Sequence, residues 1–275
     1  MFSPLIMTSR TFFFLQVFFS LYISTIYSFP FSLLKTNLIE TRDLSAVASE
    51  LGTLGSDLQN SSTLKTFLGD RGNVITQNDV VDSNGSCATM TVLFARGTGE
   101  VGNVGILTGL PFFTALAAYM NETGSMSIQG VDYSASVSGF LAGGDPAGAK
   151  TMADLINNTL TSCPDTHLTV SGYSQGAQLV HLAMTSLPTT TKSRVRSVVM
   201  FGDPKNGTAL AGIDSSKVMT ICDPKDDICK GGDAILPAHL EYSANAGTAA
   251  KFALSGLADV GITSARKVSG VDGIS

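Results

Sequence analysis

The chain has 275 residues, a net charge of −5, and 14% charged against 44% hydrophobic side chains. That balance excludes a disordered chain, and the lack of any basic run or basic stripe interleaved with aromatics excludes a nucleic-acid binder, which must neutralise phosphates. The length suits one domain preceded by a processing segment.

In chain order, Arg10 precedes an aromatic-rich apolar run over 11–28. A charged start followed by such a run reads as a signal peptide over 1–28, and no later stretch is long and apolar enough to span a membrane. Residues 29–75 read as a pro-segment or flexible amino-terminal region, and 76–275 as the folded domain. From residue 89 onward, strand-like and helix-like runs alternate. Strands are predicted over 89–95, 127–133, 167–171, 196–201 and 217–221, several of them apolar throughout, as strands buried on both faces should be. Helices are predicted over 147–160, where Met152, Leu155, Ile156 and Leu160 recur at helical spacing, and over 177–187. Alternation of this kind predicts an α/β fold. It should hold a doubly wound, mainly parallel five-stranded sheet with a ligand site at the strands' carboxyl ends.

The segment Gly172-Tyr173-Ser174-Gln175-Gly176 is a GxSxG pentapeptide between a predicted strand and a predicted helix. A serine hydroxyl is a poor nucleophile unless it projects clear of its surroundings toward a base, and a tight strand-to-helix turn holds it so. The base must be histidine near neutral pKa, oriented by a carboxylate. Of the three histidines, His167 precedes the elbow strand and His181 lies two turns along the following helix, pointing away from the turn's tip. His239 remains, ten residues after Cys229, with acids at Asp226, Asp227 and, earlier, Asp203. By residue type and order alone Asp226, Asp227 and Asp203 all remain candidates. Gly97-Thr98-Gly99-Glu100-Val101-Gly102 reads literally as GxGxxG after a predicted strand. However, the acid a dinucleotide site needs about 20 residues on falls in a polar turn at Glu122, and no cofactor is expected.

Together these residues resemble the secreted serine esterases of the cutinase type. The GYSQG elbow, an acid four residues after one cysteine, a second cysteine three residues later and a histidine ten beyond that are the family's pattern, matched here by Ser174, Cys222, Asp226, Cys229 and His239. Arg96 to Asn103 resembles the loop after its first strand, and Thr161-Ser162-Cys163-Pro164-Asp165 the segment carrying the partner of an early cysteine. The resemblance implies an α/β-hydrolase (cutinase-like) fold without a lid and a catalytic Ser174, His239 and Asp226. It also implies an oxyanion hole from Thr98, where many members have serine, and Gln175. The four cysteines allow three pairings by sequence alone. The family implies Cys87 with Cys163 and Cys222 with Cys229. No CxxC or adjacent histidine supports a metal site. Ile235 and Leu236, just before His239, are the expected apolar substrate rim, although Asp233 stands where the family often has an apolar residue. Sequons at Asn60, Asn84, Asn121, Asn157 and Asn206 suit a secreted glycoprotein. The expected activity is hydrolysis of carboxylic esters, foremost those of the plant polyester cutin, by an extracellular monomer. The alternatives are an acetylxylan esterase and a secreted binding protein on the same fold.

Overall fold

Five strands form one sheet in the order β2-β1-β3-β4-β5, every neighbouring pair parallel. They are β1 (Met90–Ala95), β2 (Met126–Gly130), β3 (His167–Tyr173), β4 (Ser197–Phe201) and β5 (Val218–Ile221). The helices, in chain order, are α1 (Asp79–Asp82), α2 (Gly109–Met120), α3 (Val137–Leu141), α4 (Pro146–Ser162), α5 (Gln175–Ser186), α6 (Thr189–Lys192) and α7 (Ala246–Ala253). The computed structural model describes residues 75–120 and 124–257, so the expected leader over 1–28 and all but the last residue of 29–75 lie outside them. Among the described residues no helix is long and apolar enough to cross a membrane.

Alternation along the buried strands sends successive side chains to opposite faces, and both faces are covered. Leu93 and Ala95 of β1, Val170 of β3 and Val198 and Met200 of β4 share a core with Met152, Ile156 and Leu160 of α4 and Leu179, Val180 and Met184 of α5. On the other face Phe94 meets Phe113 of α2 edge-on at 5.4 Å, and Phe112 meets Phe201 at 5.5 Å. There α7 packs on α2 and β4. The sheet is therefore doubly wound.

Local chemistry sets the helix starts. Asp145 precedes α4 and accepts from the N–H groups of Ala147 and Gly148, with Pro146 at the first helical position, where its missing N–H costs nothing. Those N–H groups and the Ser134 hydroxyl hold the half-buried Asp145 carboxyl below the usual carboxylate range.

Cys87 is bonded to Cys163 and Cys222 to Cys229, the pairing implied by the resemblance. The first bridge spans 76 residues and ties the approach to β1 to the end of α4. Chain entropy assigns such a loop about 4 kcal/mol, a large share of a typical domain's stability. Replacing Cys87 and Cys163 together by serine is therefore expected to lower the unfolding free energy by about that amount in urea titrations. A loss below ~1 kcal/mol would contradict it.

Among the described sequons, Asn84 and Asn206 are exposed, whereas Asn157 is half-buried, accepts from Thr191 Oγ1 and has its Thr159 2% exposed. Asn60 and Asn121 lie outside the described residues.

Candidate active site

The strand order reverses at β1, which lies between β2 and β3, and the loops leaving β1 and β3 part there. In open α/β sheets this is where ligands bind, at the carboxyl ends of the strands. The β1 loop carries Thr98, and β3 runs directly into Ser174.

Ser174 has φ 56 and ψ −118, a backbone region costing about 1–3 kcal/mol that a side chain adopts only when its surroundings impose it. Two close approaches impose it. A Cβ at Gly172 would lie 2.3 Å from Gly176 O, and one at Gly176 would lie 2.0 Å from Ala95 O, so glycine alone lets strand, turn and helix pass. The Ser174 N–H donates to Phe201 O of β4 at 3.0 Å, holding the turn to the sheet. The hydroxyl thus stands at the start of α5.

The loop after β5 brings the other two groups. His239 sits in a short 3-10 turn, Pro237–Leu240, and is 2% exposed. Ser174 Oγ donates to its Nε2 at 2.9 Å, and its Nδ1 donates to Asp226 Oδ2 at 2.8 Å. Tyr173 stacks on the imidazole with ring centroids 5.1 Å apart and donates its hydroxyl to His239 O at 2.8 Å, so the ring is held from its face and its backbone. Asp226 is fully buried inside the Cys222–Cys229 loop; Ile228 N–H donates to its Oδ1 at 3.0 Å and the Tyr242 hydroxyl to its Oδ2 at 2.6 Å. Burial alone would push that carboxyl up. The hydrogen bond and charge of His239, the Tyr242 hydroxyl and the Ile228 N–H outweigh burial and hold it below the usual carboxylate range.

The rival acids are engaged elsewhere. Asp203 takes His181 Nε2 at 2.9 Å and Lys205 N–H at 2.8 Å, and Asp227 accepts from Ala234 N–H at 3.1 Å. The second pair, His181 with Asp203, fastens α5 to the end of β4.

Thr98 Oγ1 accepts from the Gln175 side-chain Nε2 at 2.8 Å, which leaves its own proton free to turn toward a ligand. The same Nε2 donates to Ser136 O at 2.8 Å, drawing α3 against the first turn of α5. Gln175 opens α5, so its backbone N–H has no acceptor within the helix and lies at the positive dipole end. Glu100 holds the Thr98 loop in shape. Its carboxylate, 4% exposed, accepts the N–H groups of Gly97 at 2.8 Å, Ile106 at 2.8 Å and Leu107 at 2.9 Å. Burial pushes Glu100 up, opposed by those N–H groups and by Arg96. Within the GxGxxG stretch the Gly97 N–H is thus taken by this carboxylate, the Gly99 N–H by Ala135 O and the Glu100 N–H by Gly97 O, so these donors are spent within the protein. Arg96 completes the loop, donating to Glu100 O at 2.7 Å and Tyr133 O at 2.7 Å.

Of the rim pair, Ile235 is 9% exposed and belongs to the core edge, while Leu236 is half-buried and Pro237 exposed. The exposed Leu141 ends α3, whose cap residue Ser136 is bonded to Gln175; a single leucine in a short turn carries no periodic signal in the sequence. Tyr242 carries no local signal either: a tyrosine three residues past His239 looks like ordinary core.

A serine, a histidine and a carboxylate in this order of contact, with a hydroxyl and a helix-start N–H beside them, can carry out acyl transfer. Residues 86–257 match the family described as cutinase. The chain belongs to the cutinase family. Among the relatives, a cutinase (pbc1) of Pyrenopeziza brassicae is 50% identical over 175 residues, covering 64% of this chain and 86% of that one. A cutinase of Botryotinia fuckeliana is 49% identical over 61% of this chain and 82% of its own. In three dimensions the chain is similar to Trichoderma reesei cutinase in complex with a C11Y4 phosphonate inhibitor, at 36% identity and a TM-score of 0.65, over 85% of this chain and 98% of that one. An acetylxylan esterase matches at 19% identity and a TM-score of 0.50, a likeness of fold alone.

Proposed function

We propose that this cutinase-family chain is a secreted serine esterase that hydrolyses cutin through an acyl-enzyme on Ser174. The observation that carries the reading is the unbroken contact from Ser174 Oγ through His239 to Asp226, at 2.9 and 2.8 Å. As Ser174 Oγ attacks the ester carbonyl, His239 Nε2 takes its proton and Asp226 stabilises the resulting imidazolium. The negative charge then on the carbonyl oxygen is met by the Thr98 hydroxyl and the Gln175 N–H. His239 returns the proton to the departing alcohol, leaving the acyl group on Ser174. Water, deprotonated by the same nitrogen, then releases the acid and restores the serine. The chain's own groups suffice for every step.

Leu141 at 65% exposure, ending the helix whose cap Ser136 is bonded to Gln175, and half-buried Leu236 with exposed Pro237 just before His239 suit an acyl chain at an open site, as a polymer requires. The two disulfides and the charged, apolar start over 1–28 suit export to an oxidising compartment, where the chain acts as a monomer.

The test is hydrolysis of p-nitrophenyl acetate, butyrate and palmitate, with release of monomers from cutin and of acetate from acetylated xylan. Cutin monomers released alongside short-acyl hydrolysis support the reading, and acetate from xylan alone would replace it with a carbohydrate esterase. Thr98→Val, which keeps the shape and removes the hydroxyl, is expected to lower kcat by about 100-fold with KM little changed, since the oxyanion forms only after attack. A KM effect alone would remove Thr98 from the oxyanion hole.

A further inference from the structure

We propose that Tyr242 is a positioning residue of this site: by donating to the same Asp226 oxygen that His239 uses, its hydroxyl sets how tightly the pair holds its proton, and so the pH at which the base is free. The inference rests on the triad reading of Ser174, His239 and Asp226.

Three groups surround Tyr242 Oη: Asp226 Oδ2 at 2.6 Å, Asp223 N at 3.1 Å and Cys229 Sγ at 3.4 Å. The phenol has one proton to give. Asp223 N–H can only donate, and Cys229 is in a disulfide and carries no proton. The phenol proton therefore goes to Asp226, with Asp223 N–H filling a lone pair on the same oxygen. The ring is 2% exposed and held edge-on by Tyr173, Phe201 and His239, at centroid distances of 6.2, 6.4 and 6.1 Å. Packing, rather than the hydrogen bond, places the hydroxyl, so phenylalanine can occupy the site.

A carboxylate oxygen shared by two donors pulls less on each. Without the phenol, the Asp226 charge bears on His239 Nδ1–H alone, the imidazolium is favoured, and His239 keeps its proton to higher pH. The other ionisable groups packed round the pair are Tyr173 from β3, whose hydroxyl is spent on His239 O; Glu100 from the Thr98 loop, which acts on Tyr173; and Asp203 past β4, paired with His181. Asp223 and Asp227 on the disulfide loop accept from Lys225 N–H and Ala234 N–H. Both Asp223 and Asp226 lie within the Cys222–Cys229 bridge, so one phenol also joins the base's segment to the acid's loop.

The experiment follows the acidic limb of kcat/KM for p-nitrophenyl butyrate and, separately, the His239 ring signals by NMR against pH, a readout that needs no turnover. In Tyr242→Phe both midpoints should move up by about half a unit to one unit. A stronger donor, 3-fluorotyrosine placed at position 242 alone, should move them down while keeping every contact, and this arm decides the matter if Tyr242→Phe does not fold. Midpoints unmoved in the folded variants, even with kcat lowered at every pH, would leave Tyr242 a packing residue and overturn the proposal. An inactive wild-type protein would overturn the esterase reading, while the NMR titration would still decide the role of Tyr242.

Discussion

Ser174→Ala is expected to lower kcat on p-nitrophenyl butyrate by about a million-fold, to near the rate left by the oxyanion hole alone. The hydroxyl is the part of Ser174 that reaches His239 Nε2, at 2.9 Å. The fold should be untouched. Alanine tolerates the elbow no worse than serine, since the strain at φ 56 lies in the backbone and the cap position makes no side-chain hydrogen bond to α5. Melting temperature and substrate binding should therefore stay close to wild type while turnover disappears. This variant also separates an esterase from a secreted binding protein on the same fold. If residual hydrolysis exceeds about one part in a thousand, the nucleophile lies elsewhere. If turnover vanishes but the biological effect of the protein persists, its role is binding.

Asp226→Asn is expected to lower kcat by about ten-thousand-fold, because an amide cannot satisfy the donors that now converge on the carboxylate. Oδ1 takes Ile228 N–H at 3.0 Å, while Oδ2 takes both His239 Nδ1–H at 2.8 Å and the Tyr242 hydroxyl at 2.6 Å. An asparagine can place its oxygen on one side only. If the oxygen faces His239 and Tyr242, the amide N–H group meets Ile228 N–H. If it faces Ile228, the amide donates to His239, which then turns its proton to Nε2 and can no longer accept from Ser174. Either way a buried donor is left unpaired, and the imidazolium of the transition state loses its countercharge. The pH dependence carries a second signature. The folded Asp226 carboxyl sits below its ordinary range, so its ionisation favours the fold above the unfolded value, and that contribution is lost as pH falls through the folded value. The asparagine variant should lack this acid-side slope in urea titrations taken at descending pH. A variant retaining more than about a tenth of wild-type kcat would remove Asp226 from the triad.

Strand positions were legible because apolar runs mark β1 and β4, buried at every position, and also the half-buried edge strand β5; each begins one residue after its predicted start and ends where predicted. The exceptions are instructive. β2 ends at Gly130, although Val131 and Tyr133 are also buried. Past Gly130 the chain leaves the ladder so that the Tyr133 hydroxyl can meet Arg96 O; burial and strand pairing are separate demands, and hydrophobicity reports only the first. β3 runs on to Tyr173, because Gly172 and Tyr173 pair with β1 and β4 right up to the elbow, where glycine lowers a local reading of strand.

By itself the sequence determined the alternating architecture, the elbow at Ser174 and the order of serine, acid and histidine. Each of these is written in nearby residues, through apolar periodicity, glycine at close approaches, or fixed spacing within one segment. Only the tertiary structure decided which acid meets His239, why Asp203 is spent on His181, that Glu100 turns a GxGxxG loop inward around its own carboxylate, that Ile235 faces the core, and that Tyr242 shares a carboxylate oxygen with His239. These are pairings between segments far apart in the chain or side-chain directions within a turn. They depend on where the sheet places its strand ends and on which buried polar atom must find a partner, and neither condition leaves a local mark in the sequence.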